Sequence, residues 1–240
     1  MKVPLQGECR LLTHHASGLF AVEKAAGILS HPNHSEADPG ALMALPYDGT
    51  AEAYLDGGER WFLLNRLDAP TSGVVLLAHS APLAERVKAA FAAHQVEKTY
   101  LAVVKGIPRS KSERWKDCLV VKRLKGHLRT AIGKGPPNAE THMTLLSSES
   151  SGVPHSLLQL EPRTGKTHQL RVQCASRRLP ILGDATYGDF HANKAYRKAT
   201  GIGRLLLHAW RIQLRLDWEG GVIAFKAESP PPEAGFGKPV

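Results

Sequence analysis

Cysteine is scarce in this chain. There are three in 240 residues, at Cys9, Cys118 and Cys174. An odd number spaced this widely excludes a disulfide framework and a cysteine-based zinc site, and it fits a reducing cytoplasm. Long apolar runs are also missing. The apolar share is an ordinary 42%, yet no run approaches the ~20 residues of a membrane span. The opening residues, Met1 to Glu8, lack an apolar core with a small-residue cleavage site behind it, so no secretion signal is read there. No internal repeat or long low-complexity linker interrupts the chain. Metal-ligand spacing is absent as well: His31 and His34 stand three apart, but Pro32 between them forbids a helix. Finally, acidic residues are in deficit, 22 against 31 Lys plus Arg, for a formal charge of +9. That balance suits a polyanionic partner such as nucleic acid, although basic composition alone does not identify one.

What the sequence does contain is concentrated in Arg60 to Ser80. Apolar Trp61–Leu64 and Val74–Ala78 read as two buried strands. Between them lie Asn65, Arg66 and Asp68, then the turn residues Ala69-Pro70-Thr71-Ser72-Gly73. A carboxylate and a guanidinium thus leave the sheet on one loop, where chemistry is often carried. Read alone, Asp68 is equally a turn-former bonding its own backbone, and Arg66 a surface ion-pair partner.

Elsewhere, short strands are predicted over Cys9–Leu12 and Leu19–Glu23. Ser35–Tyr54 reads as loops with a short helix. Ser80 and Pro82 open a helix with Leu83, Val87, Ala90, Phe91 and His94 on one face. Lys98–Gly106 is a strand, Ile107–Trp115 a polar connection, and Cys118–Leu124 strand-like. Lys122, Arg123, Lys125, His127 and Arg129 then form a basic cluster, either a solvated loop or a phosphate-contacting arm. Two more strands follow over Thr141–Leu146 and Ser156–Leu160. Thr167 is the predicted N-cap of a helix carrying Leu170, Arg171 and Cys174. A cation in that first turn opposes the helix dipole, which hints at a partner carboxylate elsewhere. A short strand and a glycine-bounded turn are read over Pro180–Gly188. A basic helix over His191–Thr200 and a final hairpin, Leu205–Leu216 with Val222–Ala227, complete the pattern. Strands outnumber helices, so the fold class is α+β with a largely antiparallel mixed sheet. One domain is expected over 1–228, with a loose Pro/Gly-rich tail over 229–240.

Several stretches, in order, resemble the RluA-type RNA pseudouridine synthases. Asn65-Arg66-Leu67-Asp68-Ala69-Pro70-Thr71-Ser72-Gly73 is similar to that family's His-Arg-Leu-Asp-x-x-Thr-Ser-Gly motif, and Lys98-Thr99-Tyr100 to its Lys-x-Tyr strand. Arg163–Val172 with Gly183-Asp184 and Tyr187-Gly188 resembles its Thr-Gly-Arg-Thr-His-Gln-Ile-Arg-Val…Gly-Asp-x-x-Tyr-Gly motif. Glu23–Gly27 with His31-Pro32 looks like its opening motif, and Arg204–Ala209 like its Leu-His-Ala strand. Departures are Ala25 for Pro, Asn65 for His, Lys166 for Arg and Gln173 for His. The resemblance starts at the catalytic domain and includes no S4-type RNA-binding domain.

The resemblance implies a pseudouridine synthase fold and the isomerisation of uridine to pseudouridine within RNA. It implies Asp68 as the catalytic carboxylate, Arg171 as the arginine that pairs with it and Tyr100 as the active-site tyrosine. A nearby arginine would keep Asp68 ionised. The target base must leave its stack to be reached, and Arg66 is expected to occupy or brace the vacated space. Asn65, Thr71 and Leu170, inside these motifs, count among the substrate-binding positions. Lys122 and Arg123, with the basic residues of 194–204, are expected on phosphates. No cofactor and no metal are expected. The partner is RNA, ribosomal or transfer, with ribosomal RNA slightly favoured. The protein is expected to be a cytoplasmic monomer without a membrane or obligate protein partner. A non-catalytic RNA-binding protein or chaperone on the same fold is the alternative. A nucleoside hydrolase fits the basic surface less well.

Overall fold

The apolar runs become strands in the computed structural model, which describes residues 3–124 and 127–236, the side chains of 124, 127, 128 and 233 aside. In chain order these are β1 (Arg10–His15), β2 (Leu19–Lys24), β3 (Tyr47–Asp48), β4 (Ala53–Asp56), β5 (Glu59–Leu63) and β6 (Ser72–Ala78), then helix α1 (Ala81–Ala92). There follow β7 (Glu97–Lys105), β8 (Ser112–Asp117), β9 (Leu119–Leu124), β10 (His127–Ile132), β11 (Ala139–Glu149) and β12 (His155–Pro162). Helices α2 (Gln169–Ser176) and α3 (Phe190–Thr200) precede the closing hairpin of β13 (Leu207–Trp218) and β14 (Gly221–Glu228). The class is α+β, with antiparallel pairing throughout the named ladders.

The chain divides into two compact units, Met1–Glu97 with Ala209–Pro230, and Lys98–His208 with Pro231–Val240. In the first, β6 is antiparallel to β2 along its length, from Leu19 opposite Ala78 to Lys24 opposite Gly73. Every residue of β6 is buried, as is nearly all of β2. Such continuous apolar strands are covered on both faces. Leu83 and Val87 of α1 pack with Leu19, Leu76, Ile212, Leu214 and Phe225. β13 and β14 alternate buried and exposed residues, the period-2 signature of a half-covered hairpin. Gly73 is obligatory where β6 begins. Its φ is +117°, and a Cβ there would lie 2.2 Å from the Ala209 carbonyl oxygen.

The second unit lays β7, β12, β11 and β8 side by side, while β9 and β10 form a separate two-stranded hairpin. Val172 of α2 packs on Leu119 and Ala139. Three local expectations change. The polar stretch before Trp115 is strand β8, antiparallel to β11, with Trp115 its one buried residue. No helix lies within residues 35–54; β3 and the start of β4 fall there instead. The N-cap of α2 is His168 in the left-handed region at φ 55°, not Thr167. The segment read as a loose tail is packed over its described part. Ser229 is fully buried, and the Phe236 ring centroid lies 5.9 Å from that of His208. Residues 237–240 lie outside the described part.

Candidate active site

The loop between β5 and β6 lies in the first unit, at the end where β2 finishes and β6 starts. Backbone bonding closes its turn, the Thr71 amide donating to the Asp68 carbonyl at 2.9 Å. Asp68 is half-buried, and its peptide neighbours are clamped on both sides. On one side the Ser30 hydroxyl donates to the Leu67 carbonyl (2.8 Å) and accepts from the Leu67 amide (3.0 Å). On the other, the Ala69 carbonyl accepts from the Gly27 amide at 2.8 Å and from Lys24 Nζ at 3.0 Å. Lys24 is fully buried, and its ammonium also donates to the Ala25 and Ile28 carbonyls at 3.0 and 2.7 Å. A buried cation is tolerated only when so surrounded. Asn65 reaches β6: its Oδ1 accepts from the Leu76 amide at 2.7 Å, and its Nδ2 faces the Val74 carbonyl at 3.5 Å. Thr71 is buried, and its hydroxyl finds no hydrogen-bond partner among the described residues.

Arg66 is exposed, but its base is not loose. His31 Nδ1 lies 2.8 Å from the Pro32 carbonyl, which fixes that nitrogen as the donor. Nε2 is then an acceptor, and Arg66 Nη1 donates to it at 3.1 Å. The imidazole stacks on buried Tyr47, centroids 4.9 Å apart and planes 14° from parallel. Burial pushes the Tyr47 phenol up to about 12, with Glu52 adding to the rise and the Arg66 charge opposing it. Sequence reading places His31 in the stretch that resembles the family's opening motif, and nothing in its spacing points to Arg66.

The remaining residues belong to the second unit. Tyr100 is half-buried near the start of β7, where Leu101 to Val104 are fully covered. Lys98, two residues earlier on the same face, donates to the Thr164 carbonyl at 3.2 Å, and burial lowers its ammonium pKa to about 8. Leu170 and Arg171 are buried on α2. A carboxylate partner for this first-turn cation is Asp184. Arg171 Nε and Nη2 donate to its two oxygens at 2.8 and 2.9 Å, a bidentate pair. Burial alone would raise the Asp184 carboxyl. The Arg171 guanidinium and the Tyr187 and Thr186 amides outweigh burial and hold it below the usual range. The Arg171 guanidinium also lies 5.2 Å from the Tyr187 ring centroid.

Buried amides lock the segment leading into α2. Gln169 Oε1 accepts from the Thr164 hydroxyl (2.8 Å) and the Lys166 amide (3.1 Å), and Nε2 donates to Glu140 O (3.1 Å) and Thr141 Oγ1 (3.0 Å). Gln173, where the resemblance has His, accepts from Thr141 at 2.6 Å and donates to Asp117 at 2.7 Å. Lys122 and Arg123 are exposed on β9. Lys122 stands directly opposite Arg129 on β10, a like-charge pairing that costs stability unless an anion covers it. Lys125 of the same cluster lies outside the described residues. No group of His, Cys, Asp and Glu among the described residues is arranged to hold a metal ion. None of the described helices is long and apolar enough to cross a membrane.

Residues 18–176 match the family model for RNA pseudouridylate synthase, and the chain belongs to that family. It is an RNA pseudouridine synthase, an isomerase, which decides against the non-catalytic reading left open by the sequence. Among curated relatives it is 32% identical over 199 residues to tRNA pseudouridine synthase C of Vibrio cholerae serotype O1, covering 80% of this chain and 79% of that one. To the protein of the same name from Salmonella typhimurium it is 31% identical over 225 residues, covering 87% and 81%. Among solved structures it is similar to human RNA Pseudouridylate Synthase Domain Containing 1, with TM-score 0.71 and 23% identity over 94% of this chain and 85% of that one. That similarity speaks to the fold.

Proposed function

We propose that this enzyme isomerises uridine in tRNA, with Asp68 as its catalytic carboxylate and Tyr100 and Arg171 completing the site. The clamp of Ser30 and Lys24 on the peptides flanking Asp68 carries the reading, because it holds one carboxylate-bearing loop to a fixed course. The curated relatives above are named tRNA pseudouridine synthases, which moves the preference from ribosomal to transfer RNA. Breaking the C1′–N1 bond leaves the sugar electron-poor, and an ionised Asp68 stabilises or attacks that carbon. The uracil turns, C5 bonds to C1′, the C5 proton leaves, and N1 gains one. Arg171 keeps the carboxylate charged, and the Tyr100 ring packs on the uracil with its phenol near the moving proton. The reaction exchanges no electrons and transfers no group, so it needs no cofactor. The proposal includes a cytoplasmic monomer. Tritium release from 5-tritiated uridine, measured on tRNA and ribosomal RNA transcripts separately, tests the substrate. Release from ribosomal RNA alone would overturn the tRNA assignment.

Arg66 occupies or braces the stack that the flipped base vacates, and His31 aims it. Replacing His31 with Phe keeps the stack on Tyr47 and removes the acceptor. The single-turnover rate should fall about 3- to 10-fold, the usual net value of one hydrogen bond. His31→Gln, which restores an acceptor oxygen, should recover most of it. The two variants behaving alike would remove His31 from this role.

The β9–β10 hairpin contacts phosphates. Charge reversal at Lys122 and Arg123 should weaken RNA binding and lower the slope of log K against log salt by about 1.5, two contacts at roughly 0.7–0.9 each. An unchanged slope in a filter-binding titration would count the hairpin out.

A further inference from the structure

Helix α3 packs by one face and leaves the other exposed. The inner face is fixed. Its N-cap Asp189 accepts from the Ala192 amide at 2.9 Å and pairs with Lys105 at 2.6 Å. Asn193 spans the Gly183-Asp184 turn, accepting from the Gly183 amide at 2.9 Å and donating to the Asp184 carbonyl at 3.0 Å. Tyr196 is buried, edge-on to His155 with centroids 5.5 Å apart. Gly201 in the left-handed region stops the helix.

The opposite face carries Phe190, Lys194, Arg197 and Lys198, all exposed. At roughly 100° per residue these four fall within about 100° of arc. Phe190 is 76% exposed, more than any other large apolar side chain among the described residues. The His191 ring stands edge-on to it, with interplanar angle 80°. No acidic side chain among the described residues makes a salt bridge to Lys194, Arg197 or Lys198. An aromatic left in water costs stability, and the three cations that follow it along the same helix face disfavour an apolar protein partner. Together they match the chemistry of unpaired RNA, a π-face for a base with phosphates on either side.

We propose that the outer face of α3 is an RNA-docking ridge, on which an unpaired base stacks against Phe190 while Lys194, Arg197 and Lys198 take the flanking phosphates. The inference rests on the RNA substrate assigned above, and adds a base-stacking site to it. The Asn193 link ties the ridge to the turn that holds Arg171, so RNA on α3 bears on an ordered part of the same unit.

The test uses the full chain with tRNA and ribosomal RNA transcripts, a short oligouridylate and an inorganic polyphosphate. Phe190→Ala should weaken oligouridylate binding about 5- to 100-fold, the range for one lost base stack, and leave polyphosphate binding unchanged. Phe190→Trp should bind like wild type, with added fluorescence that is quenched by oligouridylate and not by polyphosphate. Replacing Lys194, Arg197 and Lys198 together with Ala should lower the salt slope by about 2. Wild-type oligouridylate affinity for Phe190→Ala would overturn the ridge, as would added fluorescence in Phe190→Trp that oligouridylate leaves unquenched. Tritium release from the wild type is read in parallel. Its restriction to ribosomal RNA would overturn the tRNA assignment alone, since the oligouridylate arms do not depend on which transcript is modified.

Discussion

Asp68→Asn should abolish tritium release from 5-tritiated uridine in RNA. The expected loss is about 10⁴-fold or more, as for removal of a residue on which the chemical step depends. The fold should survive, because several bonds that set the loop's course are made by other groups. Ser30 bonds Leu67, Lys24 and Gly27 bond Ala69, and the turn closes through the Asp68 carbonyl. RNA affinity should stay within about threefold, since phosphate contacts supply most of it. The pattern sought is therefore lost turnover with retained binding in the same preparation. Asn is nearly isosteric with Asp but carries no charge, so the variant asks whether an ionised oxygen is needed at that place. Release at about a tenth of the wild-type rate or more would move the carboxylate role to another residue. Loss of binding together with turnover would show that Asp68 holds the loop rather than the reacting sugar.

Much of this arrangement could be read from the chain, for identifiable reasons. Helix α1 and the β13–β14 hairpin each carry their period in one uninterrupted stretch, and both are expected near their observed limits. The Asn65–Gly73 loop is visible because its polar residues interrupt two strongly apolar strands. Local reading fails where partners are distant in sequence. β8 is polar on nearly all sides, and only its pairing with β11 makes it a strand. Thr167 has N-cap chemistry, yet the Gln169 amide holds the segment so that His168 takes the cap position. The tail looks loose by composition because its few apolar residues are anchors, Phe236 on His208 among them. Asp184 is legible as part of a glycine-bounded turn and of the Gly-Asp-x-x-Tyr-Gly resemblance, and not as an ion-pair partner. Its role follows from a guanidinium 13 residues earlier. Ser30 and His31 contribute to the site through bonds to the Leu67 backbone and the Arg66 side chain, and neither bond leaves a trace in local spacing.

Asp184→Asn should destabilise the protein by about 3–5 kcal/mol, the usual cost of removing one partner of a buried ion pair. Arg171 and Asp184 are 5% and 2% exposed, so solvent does little to replace the lost charge. Asn retains an oxygen for the Thr186 and Tyr187 amides, which donate to Asp184 Oδ1 at 2.8 and 3.0 Å. The substitution thus removes the charge and spares the turn. Asp184→Ala, which removes both, should cost more. The pH dependence follows from the direction of the shift. The folded-state carboxyl is held below its ordinary value, because the Arg171 guanidinium and turn amides outweigh the opposing effect of burial. Its contribution is therefore complete above the unfolded value near 4 and is lost as pH falls through the folded value. Urea unfolding of wild type and Asp184→Asn should show the full gap at about pH 7 and a narrowing gap below about pH 4. A gap under about 1 kcal/mol at neutral pH would place the pair with ordinary surface bridges. A gap that widens on acidification would contradict the direction assigned to Asp184. Because Arg171 is proposed to act on the carboxylate at the reacting sugar, the stable fraction of Asp184→Asn should also turn over more slowly than it binds.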